Sequence, residues 1–285
     1  MSRLHRAWRA FAAFVPALLI ASATAHAVVR NDLTAGNPSS IPGAVAFGNT
    51  SFFNASATVI GGGQYVITSA HVIPPGDTNG ANYRIQTYDG TIINGTGTLV
   101  THPDSEIDLA IVKLATPLPD WYDVYTGSDE LGKTIAFSGF GLGSATAGDG
   151  SNTLPSGIAR QGANRISAVV GTNELRFDFD LTGTSNDLNA DGLGATEATT
   201  LGGDSGMGWL VQVGSTYELL GVHRGVLNPP GANRDQSISF GTRVSAEVSW
   251  ILNNIPEPAT AVCSIALIPW LITQRPRFVA RRVIS

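Results

Sequence analysis

Between residues 28 and 241 no stretch keeps a helical period of apolar positions. Short runs rich in β-branched and aromatic residues recur instead between clusters of Gly, Asn, Asp and Pro, the pattern of an all-β sandwich or barrel. Tyr83 to Tyr88 alternates apolar and polar, Asp89-Gly90 is a two-residue turn signal, and Thr91 to Ile93 opens a return strand, so a hairpin is expected. Tyr65-Val66-Ile67-Thr68 and Leu109 to Leu114 are nearly continuous apolar runs and read as largely buried strands. One segment breaks the pattern: Val244, Val248, Ile251 and Leu252 fall at i, i+4, i+7 and i+8, one face of a helix that Pro256 closes. Gly139 to Gly157 is glycine-rich and is expected to be a flexible loop. There is no internal repeat.

The two ends fall outside this β pattern. Arg3, His5, Arg6 and Arg9 form a basic head, Ala10 to Ala21 an apolar stretch, and Ala25-His26-Ala27 a small-x-small cleavage site, the three parts of a secretory signal peptide. At the other end, Pro256-Glu257-Pro258 precedes the apolar segment Ala259 to Thr273 and then Arg275, Arg277, Arg281 and Arg282. Fifteen residues barely cross a bilayer, and the arginines would hold the end on the cytoplasmic side. This order resembles the PEP-CTERM sorting signal of Gram-negative bacteria, which implies export to the surface, transient membrane contact and removal by an exosortase-type processing enzyme. The expected organisation is a signal peptide at 1–27, a folded domain at 28–255 and a sorting segment at 256–285.

Composition changes the picture in two ways. At 43% hydrophobic and 14% charged the chain of 285 residues is not disordered. Setting the ends aside leaves 10 basic and 21 acidic residues, a net charge of −11, which makes nucleic acid and anionic membrane surfaces poor partners. The single cysteine, Cys263, lies in the tail, so the domain has no disulfide and must rely on its core.

Three segments carry candidate chemistry. Thr68-Ser69-Ala70-His71 follows a buried strand, Asp108 opens another, and Gly202-Gly203-Asp204-Ser205-Gly206 is a glycine-rich turn. Nucleophilic acyl transfer needs a hydroxyl, a base for its proton, an acid to orient the base and N–H groups for the oxyanion. Each residue also has a plainer explanation: a packed histidine, a turn aspartate and a loop serine. Their chain order, His then Asp then Ser, resembles the trypsin-like (chymotrypsin-fold) serine proteases. The resemblance extends to Phe137-Ser138-Gly139-Phe140-Gly141, which looks like the strand opening the second barrel, to Leu219-Leu220-Gly221-Val222 beside the substrate pocket, and to Trp250-Ile251 in the terminal helix.

It implies two antiparallel β-barrels, about residues 28 to 125 and 130 to 240, with a C-terminal helix and no cofactor. It implies an exported serine endopeptidase acting on protein or peptide substrates, with Ser205 as nucleophile, His71 as general base and Asp108 fixing its tautomer. The Gly203 and Ser205 N–H groups would form the oxyanion hole, and Thr199, Thr200 and His223 would line the substrate pocket. Thr200 and His223 also resemble the glutamyl endopeptidases, where a Thr and an imidazolium hold a substrate carboxylate; a small or apolar substrate side chain is the default expectation. In the family a new Ile or Val amino terminus inserts beside the Asp before the nucleophile, which implies a Val28–Asp204 activation pair after cleavage at Ala27. This sequence departs from the family with Arg30-Asn31 for two glycines, Met207-Gly208 for Gly-Pro, and Arg224 near the place of a Ser that assists the triad Asp. Those departures keep a catalytically silent surface-binding or adhesion protein as the rival expectation. Finally, Asp187 to Gly192 copies the start of an EF-hand calcium loop, but Ala198 stands at its twelfth position with Glu197 one place early, and Asx-turns explain it equally well.

Overall fold

The computed structural model describes residues 29–30, 41–48, 53–73, 82–146, 149–180, 192–228 and 234–255. The first half is a seven-stranded antiparallel sheet in the order Ile92–Thr96, Asn82–Thr87, Ala44–Gly48, Phe53–Ile60, Tyr65–Thr68, Ala110–Lys113, Thr98–Thr101. Tyr65–Thr68 pairs with Phe53–Ile60 and Ala110–Lys113 at its edges and is buried at every position because Val66 faces one apolar cluster and Tyr65 and Ile67 another, and a strand enclosed on both faces needs an unbroken apolar run. The sheet curls around Val45, Phe47, Val59, Val66, Tyr83, Ile85 and Val112.

The second half runs Arg160–Arg165, Thr134–Gly139, Gly208–Val213, Thr216–Leu227, Ser237–Arg243, Glu174–Phe179, Ala168–Val170, with Asp123–Val124 added in parallel to Thr216–Leu227. Its core stacks Phe137 on Phe177 at 5.5 Å between ring centroids and tilts Trp209 against Phe177 at 4.8 Å, separations at which aromatic pairs attract beyond simple burial. A third apolar cluster joins the halves: Ile60, Ile67, Ile107, Leu109 and Ile111 meet Leu210, Leu219 and Val222, capped by Val244, Ile251 and Ile255. The result is the expected all-β architecture, two curled antiparallel half-barrels with a C-terminal helix at Val248–Asn254.

Three local expectations are corrected. The hairpin loop has three residues, because Thr87 N–H donates to Thr91 O at 3.0 Å and leaves Tyr88-Asp89-Gly90 outside the ladder. Gly90, at φ 86°, takes the left-handed position that this loop length requires. The glycine-rich stretch is not an open loop: Gly143–Thr146 pairs antiparallel with Asp149–Leu154. Glycine weakens a strand's preference, but the ladder needs only backbone N–H and C=O groups. Leu252 is 46% exposed. Val244 is buried but belongs to a separate 3-10 turn, Val244–Ala246, so the helix starts later and buries Ile251, with Ile255 buried just past its end.

Candidate active site

The buried strand Tyr65–Thr68 ends in a 3-10 turn at Ala70–Val72 that lifts His71 toward solvent while Val72 stays in the core. Ser69, fully buried, anchors the turn to the other half by donating its hydroxyl to the His223 carbonyl at 2.7 Å. Asp108 is held between Ile107 and Leu109, both buried in the cluster that joins the halves. Its Oδ1 accepts the His71 backbone N–H at 2.9 Å and its Oδ2 lies 2.7 Å from His71 Nδ1. Burial pushes the Asp108 carboxyl up, but the His71 hydrogen bonds and the His71 and Arg224 charges outweigh it and hold the group below the usual carboxylate range. An ionised Asp108 can only accept, so Nδ1 carries the proton and Nε2 is left as the basic nitrogen.

Ser205 sits in a turn that glycine alone permits. Gly203 and Gly206 have φ of 92° and 87°. A Cβ on Gly206 would lie 2.2 Å from the Ser56 carbonyl oxygen and 2.0 Å from Thr68 Oγ1. The turn is sewn to the first half by Ser56 N–H to Ser205 O at 2.9 Å and by the Ser56 hydroxyl to Gly203 O at 3.2 Å. Among the described residues the Gly203 and Ser205 N–H groups meet no acceptor. The Ser205 hydroxyl donates to the Arg224 carbonyl at 3.3 Å rather than to His71, a looseness common before substrate tightens a catalytic site.

The departures find physical reasons. Met207 is fully buried in the second core, and Gly208 is needed because a Cβ there would lie 2.4 Å from Thr58 Oγ1. Arg224 places Nε 3.5 Å from Asp108 Oδ2 and Nη1 4.0 Å from Glu174, so a positive charge stands beside the Asp108 carboxylate where a hydroxyl was expected.

Thr199 and Thr200 are fully buried beside the nucleophile turn and are joined to the next strand through hydroxyls: Thr199 to Ser237 at 2.9 Å and Thr200 to Ser239 at 2.9 Å. His223 lies on the adjacent strand with 1% exposure, and its Nδ1 has no partner among the described residues. Burial, and then the charge of His71, push its imidazole down to about 3. Enclosure thus favours the neutral ring in the free protein.

Asp204 is completely buried; its oxygens accept N–H groups from Gly141 at 3.0 Å and Leu201 at 2.8 Å, and burial pushes its carboxyl up to about 7. Gly139 and Gly141 make room for it, since a Cβ on either would fall 2.1 or 2.7 Å from its Oδ1. Val29 pairs with Thr199; Val28 lies outside the described residues. So do Asp187 to Asp191 of the calcium expectation, and Glu197 spends its carboxylate on the N–H groups of Asp180 and Leu193, both at 2.7 Å.

Ser56 thus shapes the site without having been legible in the sequence, while Thr68 and Gly206 lay within the motifs with no role assigned to them and Arg224 stood out as a departure. A sequence profile described as a trypsin-like peptidase domain matches residues 55–214, more than half of the chain. No curated protein sequence matches it. Among solved structures the chain is similar to mouse neuropsin, described as a serine protease expressed in the limbic system of the brain. The identity is 16%, the TM-score 0.56, and the match covers 80% of this chain and 99% of the other, a likeness of fold.

Proposed function

The chain belongs to the trypsin-like peptidase domain family, and on that premise we propose that it is an exported serine endopeptidase working through an acyl-enzyme. The observation that carries this reading is the two-point grip of Asp108 on His71 beside a serine turn that glycine alone permits. In the proposed cycle His71 Nε2 takes the Ser205 proton as Oγ attacks the peptide carbonyl. The Gly203 and Ser205 N–H groups receive the oxyanion, and His71 passes the proton to the departing amine. Water then repeats the sequence, releasing the acid product and restoring Ser205. Exposure through residues 1–27 and release from the membrane by an exosortase-type enzyme at 256–285 belong to the same proposal, which divides the chain at 27 and 255.

Arg224 drawing on Asp108, with the Ser205 hydroxyl turned to a carbonyl, favours a second reading in which the fold is kept for binding and turnover is lost. A fluorophosphonate separates the two. Covalent capture at Ser205, absent in Ser205→Ala, is the expected outcome, and an unreactive Ser205 in folded protein assigns the binding role.

Beside the serine turn the hydroxyls of Thr199 and Thr200 pair with those of Ser237 and Ser239, and the adjacent strand carries the buried His223, which burial keeps neutral. Those hydroxyls and the neutral ring carry no charge that would balance a positive side chain. Cleavage in a peptide library is expected after small or apolar residues, with Lys and Arg disfavoured at least about tenfold, the equivalent of 1.4 kcal/mol. A Glu preference that vanishes in His223→Ala would assign carboxylate binding to His223 instead.

A further inference from the structure

Arg160 has no part in the chemistry described above, yet it is sealed in the protein at 1% exposure on the edge strand Arg160–Arg165. Its guanidinium donates to two neutral acceptors, Gly141 O at 3.1 Å from Nη1 and Pro155 O at 2.9 Å from Nη2, while Nε has no partner among the described residues. Two carbonyls would be served as well by an uncharged donor. A full positive charge at such a place is costly unless a negative charge balances it.

The buried acidic group tied to it is Asp204. Gly141 joins the two: its carbonyl accepts from Arg160 and its N–H donates to Asp204 Oδ1. A Cβ on Gly141 would lie 2.6 Å from the Asp204 nitrogen and 2.6 Å from Gly202 O, so this residue rests directly on the nucleophile turn. Burial pushes the Asp204 carboxyl up, and the Leu201 and Gly141 N–H groups and then the Arg160 charge draw it back down; burial likewise pushes the Arg160 guanidinium down, against the charge of Asp204. We infer that Arg160 is the resident counter-cation of Asp204, holding the turn that presents the Gly203 and Ser205 N–H groups whether or not a new amino terminus is exposed at Val28. The family pattern assigns that duty to the freed amine; here the fold carries the cation within itself. Arg160 is a positioning residue, and its catalytic consequence rests on the endopeptidase reading.

The test uses the full chain in detergent, uncut or cut at a specific site installed within residues 24–27. Labelling of Ser205 by a fluorophosphonate is expected to proceed at similar rates in both forms. In the uncut chain Arg160→Met should slow it by about 10²-fold, as for the loss of an oxyanion donor, and Arg160→Lys should restore most of it. Labelling that appears only after cutting, or an Arg160→Met chain that labels like the wild type, overturns the inference. Thermal unfolding supplies a readout that does not depend on catalysis. Arg160→Met should cost less in an Asp204→Asn background than in the wild type, because there no carboxylate is left without its cation. Strictly additive losses of Tm, or a double variant that stays unfolded where Asp204→Asn folds, overturn it. A wild-type chain that never labels defeats the endopeptidase reading, and the Tm cycle still decides the Arg160–Asp204 pairing.

Discussion

Ser205→Ala is expected to lower kcat by about 10⁶, the loss seen when a triad nucleophile is removed and the remaining groups no longer act as a unit. The fold should not register the change. The hydroxyl makes one hydrogen bond, a 3.3 Å donation to the Arg224 carbonyl, so stability should stay within about 0.5 kcal/mol of the wild type. Turnover of a peptide substrate beside a thermal melt checks both halves. Wild-type turnover by a pure Ser205→Ala preparation removes Ser205 from the mechanism.

Asp108→Asn should lower kcat by about 10⁴ through the tautomer rather than through geometry. The Asn oxygen can still accept the His71 backbone N–H now held at 2.9 Å, but its amide would face Nδ1 where a carboxylate oxygen now lies at 2.7 Å. An amide there donates, so Nδ1 must accept and the proton moves to Nε2, the atom needed as the base. The substitution also strips Arg224 of the charge 3.5 Å away, leaving Glu174 as its acidic neighbour. Single-turnover acylation checks this, because the loss must appear in the chemical step; an Asn variant that acylates at the wild-type rate shows that Asp108 does not set the tautomer.

The hydrophobic pattern made the strands readable because burial is written into it, as an unbroken apolar run where both faces are covered at Tyr65–Thr68 and as alternation where one face is covered at Asn82–Thr87. The triad positions were readable for a different reason: His71, Asp108 and Ser205 each sit within a short stretch whose neighbours are distinctive. What escaped was whatever depends on contacts between distant segments. The need for Gly206 arises from Ser56 and Thr68, and that for Gly139 and Gly141 from Asp204, none of which is a local property. Leu252 followed the period of a longer helix, whereas a 3-10 turn absorbs Val244 before the helix begins. His223 was identifiable as a pocket residue, but its protonation follows from enclosure, which spacing along the chain does not report.

The stitches between the halves bear on how the protein comes to life. Ser56 reaches Gly203 across 147 residues, and Ser69 reaches the His223 carbonyl across 154. Contacts of such separation close late, after each half has paid its own chain entropy. Neither half can shape the serine turn alone, since the wall that confines Gly206 comes from Ser56 and Thr68 and the strand behind it from the second sheet. The arrangement around Ser205 therefore comes into being only with the last step of docking, when both halves are in place.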